Sequence, residues 1–148
     1  GAAAVLAQSR LTDGTMARVS RMRDAFEQAV LAGVTGVRVN GDPSSRVPNT
    51  SHLSFDQCEA AGLLILLDEK GVACSAGSAC MSGKQHPSHV QKAMGFSDAR
   101  AKSSLRFSFS AENTMEEATQ AAAVVCQAVK KLRSVQGDGV GPVVIYTP

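Results

Sequence analysis

The sequence has no tryptophan and one tyrosine, and aromatic residues make up only 4% of its 148 residues. A surface that stacks nucleic-acid bases on aromatic rings is therefore not indicated. Basic runs are missing as well, and a formal net charge of +2 is spread along the chain, so no phosphate-backbone partner is implied. The longest apolar run, Ala60 to Leu67, contains Gly62 and is followed at once by Asp68, Glu69 and Lys70. It falls short of the roughly 20 residues a membrane span needs. No basic leader precedes the opening Gly-Ala-Ala-Ala-Val-Leu-Ala, so a signal peptide is not expected. That opening is a helical pattern with no capping residue, which leads us to expect a cut within a longer polypeptide. Cysteine is sparse: Cys58, Cys74, Cys80 and Cys126 lie 16, 6 and 46 residues apart. These spacings match no zinc pattern. Without a secretory leader, a disulfide framework is not expected, and a reducing, cytoplasmic compartment is.

What is present suits one globular domain. Apolar residues make up 44% of the chain, and a core must be built from Ala, Val, Leu and Met. Ala2 to Arg10 reads as the end of a helix, broken at Thr12-Asp13-Gly14-Thr15. From Thr15 to Ala32 the residues Met16, Val19, Met22, Phe26, Ala29 and Val30 recur at helical spacing, with Arg23 and Glu27 among the polar residues between them, and Gly33 stops the pattern. Short strands are expected at Val37–Val39, Ser51–Phe55 and Val72–Cys74, and the clearest at Ser104–Ser110, where Leu105, Phe107 and Phe109 alternate with Arg106, Ser108 and Ser110. Asp56 is expected to cap a helix from Glu59 to Glu69, and Ser88 a short one reaching Met94. Thr114-Met115-Glu116-Glu117 is a capping box opening a helix to about Leu132. Ser75 to Pro87 reads as a mobile loop, and residues 136–148 as a tail. The order predicts an α+β fold, a small and mainly antiparallel sheet with helices on one face.

Cys80 lies in Ser75-Ala76-Gly77-Ser78-Ala79-Cys80-Met81-Ser82-Gly83, a run too small-sided to bury it. A cysteine there is either an incidental loop residue or an accessible nucleophile. Cys58, Cys74 and Cys126 sit among Ala, Val and Leu and read as core residues. His86 and His89 follow Cys80 closely and are candidates for proton transfer near it. Three candidate ligands at a nonstandard spacing do not make a metal site. Arg106 either points to solvent by strand alternation or binds a carboxylate bidentately.

Several segments resemble the C-terminal region of the pyridoxal-phosphate-dependent cysteine desulfurases. They are Gly36-Val37-Arg38-Val39-Asn40-Gly41-Asp42, Arg46-Val47-Pro48-Asn49-Thr50, Gly71-Val72-Ala73-Cys74-Ser75-Ala76-Gly77-Ser78-Ala79-Cys80, Pro87-Ser88-His89-Val90 and Leu105-Arg106-Phe107-Ser108. Their order holds over about residues 1 to 135. The resemblance implies the small C-terminal domain of a fold-type I, class V aminotransferase-like enzyme, with the pyridoxal-phosphate-binding large domain lying before Gly1. It implies that Cys80 is the nucleophile and that Arg106 binds the carboxylate of L-cysteine. The long loop resembles class I desulfurases, which serve iron–sulfur cluster assembly or nitrogenase maturation. Sulfur from L-cysteine then forms a persulfide on Cys80 and passes to an acceptor or iron–sulfur scaffold protein, and L-alanine leaves. The parent enzyme is expected to be a homodimer. The family's cofactor-anchoring lysine, stacking histidine and aspartate have no counterpart here. Met81 replaces a small hydroxyl residue, and Ser110 to Thr114 replaces the usual Gly-Arg-Phe-Thr. A related selenocysteine lyase, a stand-alone persulfide carrier or docking module, and a purely structural domain are the alternatives.

Overall fold

The computed structural model describes residues 1–77 and 87–136. In chain order the elements are α1 (Ala2–Thr12), α2 (Thr15–Gly33), β1 (Val37–Val39), β2 (Thr50–Phe55), α3 (Ala60–Asp68), α4 (His89–Ala93), α5 (Asp98–Lys102), β3 (Ser104–Ser108) and α6 (Met115–Gln136). The three strands form an antiparallel sheet in the order β1-β2-β3. Period-two alternation gives the sheet two unlike faces. Leu53, Phe55, Leu105 and Phe107 point inward and are buried against α2, α3 and α6. Phe26 of α2 anchors this core, with ring centroids 4.8 Å from Phe107 and 5.4 Å from Phe109. The opposite face carries Thr50, His52, Ser54, Ser104, Arg106 and Ser108, in register as Thr50–Ser108, His52–Arg106 and Ser54–Ser104. The three longer helices of the core lie on one face, as expected, and the short α4 and α5 cover part of the other.

Local chemistry explains the boundaries. Asp13 Oδ1 accepts from the Thr15 amide at 2.9 Å, and Gly14 turns the chain with φ +83°, separating α1 from α2. The capping box is formed in both directions. Thr114 Oγ1 accepts from the Glu117 amide at 3.1 Å, and Glu117 Oε2 accepts from the Thr114 amide at 2.9 Å. The last residue of α2, Gly33, allows a close helix crossing. A Cβ there would lie 2.5 Å from Cys126 Sγ of α6.

Three expectations are corrected. Asp56 does not cap α3, whose N-cap is Glu59. Its carboxylate instead pairs with Arg38 at 2.6 Å, and its carbonyl accepts from Arg133 Nη2 at 2.8 Å. Val72–Cys74 is not a strand. The chain there first bends back, with the Val72 amide bonded to the Leu67 carbonyl at 2.9 Å, and touches the sheet only through a single bridge from Ser75 to Arg106. The final strand stops at Ser108, because the Ser110 amide turns onto Asn113 Oδ1. Arg23 and Glu27, polar residues within the helical pattern, are each only 5% exposed. The 44–48 loop folds over them. Arg46 forks onto Glu27 at 2.6 and 2.8 Å, and Arg23 donates to the Val47 carbonyl at 3.0 Å. Buried charges require such partners, and removing one partner of a buried pair costs about 3–5 kcal/mol.

Candidate active site

The outward face of the sheet is where the described chemistry gathers. Arg106 sits between Leu105 and Phe107, both buried, so alternation drives its side chain outward, and it is exposed. Among the described residues its guanidinium has no ion-pair or hydrogen-bond partner. Elsewhere in the fold Glu27 pairs with Arg46, Asp56 with Arg38, and Asp98 with Lys92. An unpaired, outward fork of five donors suits a planar carboxylate. Its backbone is fixed on both sides. β2 pairs with β3 on one edge, and on the other the Ser75 amide donates to the Arg106 carbonyl at 3.0 Å while the Arg106 amide donates to the Ser75 carbonyl at 2.8 Å. The chain therefore passes Arg106 at Ser75 before it continues toward Cys80. Cys80 and His86 themselves lie outside the described residues.

Opposite Arg106 stands His52, half-buried. Gln91 of α4 donates from Nε2 to His52 Nε2 at 3.0 Å. Burial lowers the titration of His52, and the charges of Arg106 and Arg100 lower it further, so the ring is neutral at pH 7. Below it lies a buried polar floor. Asn40 Oδ1 accepts from Ser54 Oγ at 2.8 Å and from Arg100 Nη2 at 2.8 Å, while Asn40 Nδ2 donates to Ser104 Oγ at 3.2 Å. The Arg100 guanidinium also lies 3.9 Å from the Phe96 ring centroid. Satisfied on several sides, this network holds β1, β2 and α5 in one arrangement.

His52 and Gln91 were not singled out from the sequence. The available signal was the alternation from Thr50 to Phe55, which places His52 on the Arg106 side once the strands pair in register. His89, by contrast, is exposed at the first position of α4, and Ser88 occupies its N-cap without a side-chain hydrogen bond.

The three described cysteines are free and held as thiols. Burial raises Cys58 and Cys126 above the ordinary thiol range, and burial together with the charge of Asp68 pushes Cys74 up to about 11. Cys58 and Cys126 lie in the core as the sequence led us to expect, whereas Cys74 is half-buried and packs against its edge. No cluster of metal-ligating side chains occurs among the described residues.

Pyridoxal phosphate needs an amine for its aldehyde, and the face around Arg106 and His52 offers none among the described residues. Lys92 pairs with Asp98, Lys70 borders a groove with Phe26 and Phe107, and Lys102 borders another with Arg38 and Asp56. Arg106 could receive a carboxylate, whereas the described residues around it offer no amine to fit the cofactor. No helix among the described residues is long and apolar enough to cross a membrane.

Comparison with known proteins places the chain in a family. The model of the family "Aminotransferase class-V" matches residues 2–120. A cysteine desulfurase of Azotobacter chroococcum mcd 1 is 42% identical over 127 residues, covering 84% of this chain and 32% of the relative. Cysteine desulfurase NifS of Azotobacter vinelandii is 41% identical over 127 residues, again covering 84% of this chain and 32% of the relative. The chain thus spans about a third of the length of the curated relatives it matches. Among solved structures, a NifS-like protein from Rickettsia africae ESF-5 superposes with a TM-score of 0.66 at 23% identity, covering 86% of this chain and 31% of that one. A second NifS-like protein gives 0.72 at 21%, with the same coverage. At these identities the superpositions speak for the fold alone.

Proposed function

Because the chain belongs to the class-V aminotransferase family, we propose that its residues 1–135 form the small domain of a cysteine desulfurase, followed by a tail at 136–148. Arg106 receives the carboxylate of L-cysteine and Cys80 receives its sulfur. The Cys80 thiolate attacks the substrate sulfur, a sulfur–sulfur bond forms, and the carbon–sulfur bond breaks. The electron pair of that bond stays with the substrate carbon, which takes up a proton and leaves as L-alanine. The persulfide on Cys80 then passes to an acceptor or iron–sulfur scaffold protein. His86 and His89 are the candidates for the accompanying proton transfer. Pyridoxal phosphate, the electron sink such chemistry uses, is held by residues other than those described here. The working enzyme is a cytoplasmic homodimer.

The observation that carries this reading is the outward Arg106, unpaired among the described residues and bridged through its backbone to Ser75 five residues before Cys80. The guanidinium of Arg106 would then serve the carboxylate end of one small amino acid and the Cys80 thiol its sulfur end. The three other thiols support the choice of Cys80, because each is kept protonated by burial. The test is release of sulfide and L-alanine from L-cysteine, with pyridoxal phosphate and a reductant, by the full polypeptide that carries these 148 residues. Equal amounts of the two products, lost in Cys80→Ala, are expected. Undiminished turnover in Cys80→Ala overturns the reading.

A further inference from the structure

Cross-strand partners hold their Cβ atoms about 4.5–5.5 Å apart, and His52 and Arg106 are such partners on the outward face. The Gln91 amide nitrogen can only donate, so His52 Nε2 accepts and the imidazole proton resides on Nδ1. Among the described residues, this Nδ1–H has no acceptor. Gln91 is 3% exposed, and its Oε1 is buried without a hydrogen-bond partner. A buried, unpaired amide oxygen is costly and calls for a reason. The reason is available next to it. A half-turn of the amide presents Oε1 in place of Nε2, so Gln91 can hold the ring when Nε2 accepts and also when Nε2 carries a proton.

We propose that His52 is the proton-dependent half of a two-residue carboxylate clasp, donating from Nδ1 beside the Arg106 fork while Gln91 follows its protonation state. The proposal rests on the reading that Arg106 receives a carboxylate. The charged groups facing the ring among the described residues are Arg106 from β3 and Arg100 from α5. Gln91 from α4 and Asn40, whose amide bonds the His52 carbonyl at 2.8 Å, are neutral. No carboxylate of the described residues offsets the two guanidiniums there, and together with burial they hold the imidazole neutral. A bound carboxylate offsets the Arg106 charge and gives the imidazolium a counter-ion. Binding and protonation therefore assist each other, and by linkage to the same extent.

The test is an imidazole NMR titration of the intact chain at low salt, with and without saturating acetate, read together with the Arg106 Nε–H resonance. Acetate is expected to shift the Arg106 resonance and to raise the His52 midpoint by about one pH unit. That corresponds to about tenfold tighter acetate binding below the midpoint than above it. His52→Asn should abolish this pH dependence, and the titration of the unsubstituted chain decides the matter even if that variant fails to fold. An Arg106 response with an unmoved His52 midpoint overturns the clasp and leaves the carboxylate role of Arg106 standing. No response at Arg106 overturns both.

Discussion

At the scale of single residues, the account turns on which side chains are left without partners. Arg106 is outward and unpaired among the described residues, whereas Arg23, Arg38, Arg46 and Arg133 each serve a named carboxylate or carbonyl. A bidentate, charge-assisted contact is worth about 3 kcal/mol. Arg106→Gln should therefore lower kcat/KM for L-cysteine about a hundredfold in the full polypeptide, with Lys restoring only part of the loss. Equal kcat/KM in the Gln variant would show that Arg106 faces solvent idly. The thiols divide in the same way. With Cys74 pushed up to about 11, and Cys58 and Cys126 also raised by burial, few thiolates exist at these positions at pH 8. Iodoacetamide at pH 8 should label Cys80 first and the other three only on unfolding, as read by peptide mass. Alternation alone left Arg106 with two alternatives, since it gives a direction and not a partner, and only the family resemblance favoured the carboxylate role. For His52 the alternation of its strand gave a face and nothing more. A lone histidine in a strand gains meaning only when register sets it opposite an arginine.

At the scale of elements, local signals carried most of the fold. The capping box at Thr114 and the Asp13-Gly14 break depend on residues within four positions of each other, and both formed as the sequence indicated. Signals that depended on distant partners misled. Asp56 resembles an N-cap locally, yet Arg38 and Arg133 claim it from two other elements. Arg23 and Glu27 look solvated along α2 until the 44–48 loop is placed over them. Gly33 has a similar lesson. It reads as a helix stop, but its side-chain-free surface is what lets α2 and α6 cross. A methyl group there meets Cys126 Sγ, so Gly33→Ala should destabilise the fold by about 1–3 kcal/mol, visible as a lower urea midpoint. Cys126→Ala in the same chain should restore part of that loss by removing the clashing sulfur. An unchanged midpoint in Gly33→Ala would mean the two helices do not pack this closely.

At the scale of the whole molecule, a small antiparallel sheet has one apolar face committed to three helices and one polar face left to chemistry. Burial of Phe26, Leu53, Phe55, Leu105 and Phe107 fixes the first face and, through strict alternation, fixes which residues form the second. A one-residue slip of β3 would send Arg106 into the core and Phe107 into solvent, so stability and function share one register. The chain spans about a third of its curated relatives, and we propose that its polar face receives a carboxylate while the cofactor is anchored elsewhere. That division of labour is the central claim, and sulfur arriving on Cys80 is its most direct consequence. The measurement is peptide mass analysis of the full polypeptide after a single turnover of L-cysteine with pyridoxal phosphate and no reductant. The account predicts one added sulfur atom on the peptide containing Cys80, and none after Cys80→Ala. Added sulfur on Cys58, Cys74 or Cys126, or L-alanine formed with no sulfur retained on the protein, would contradict it.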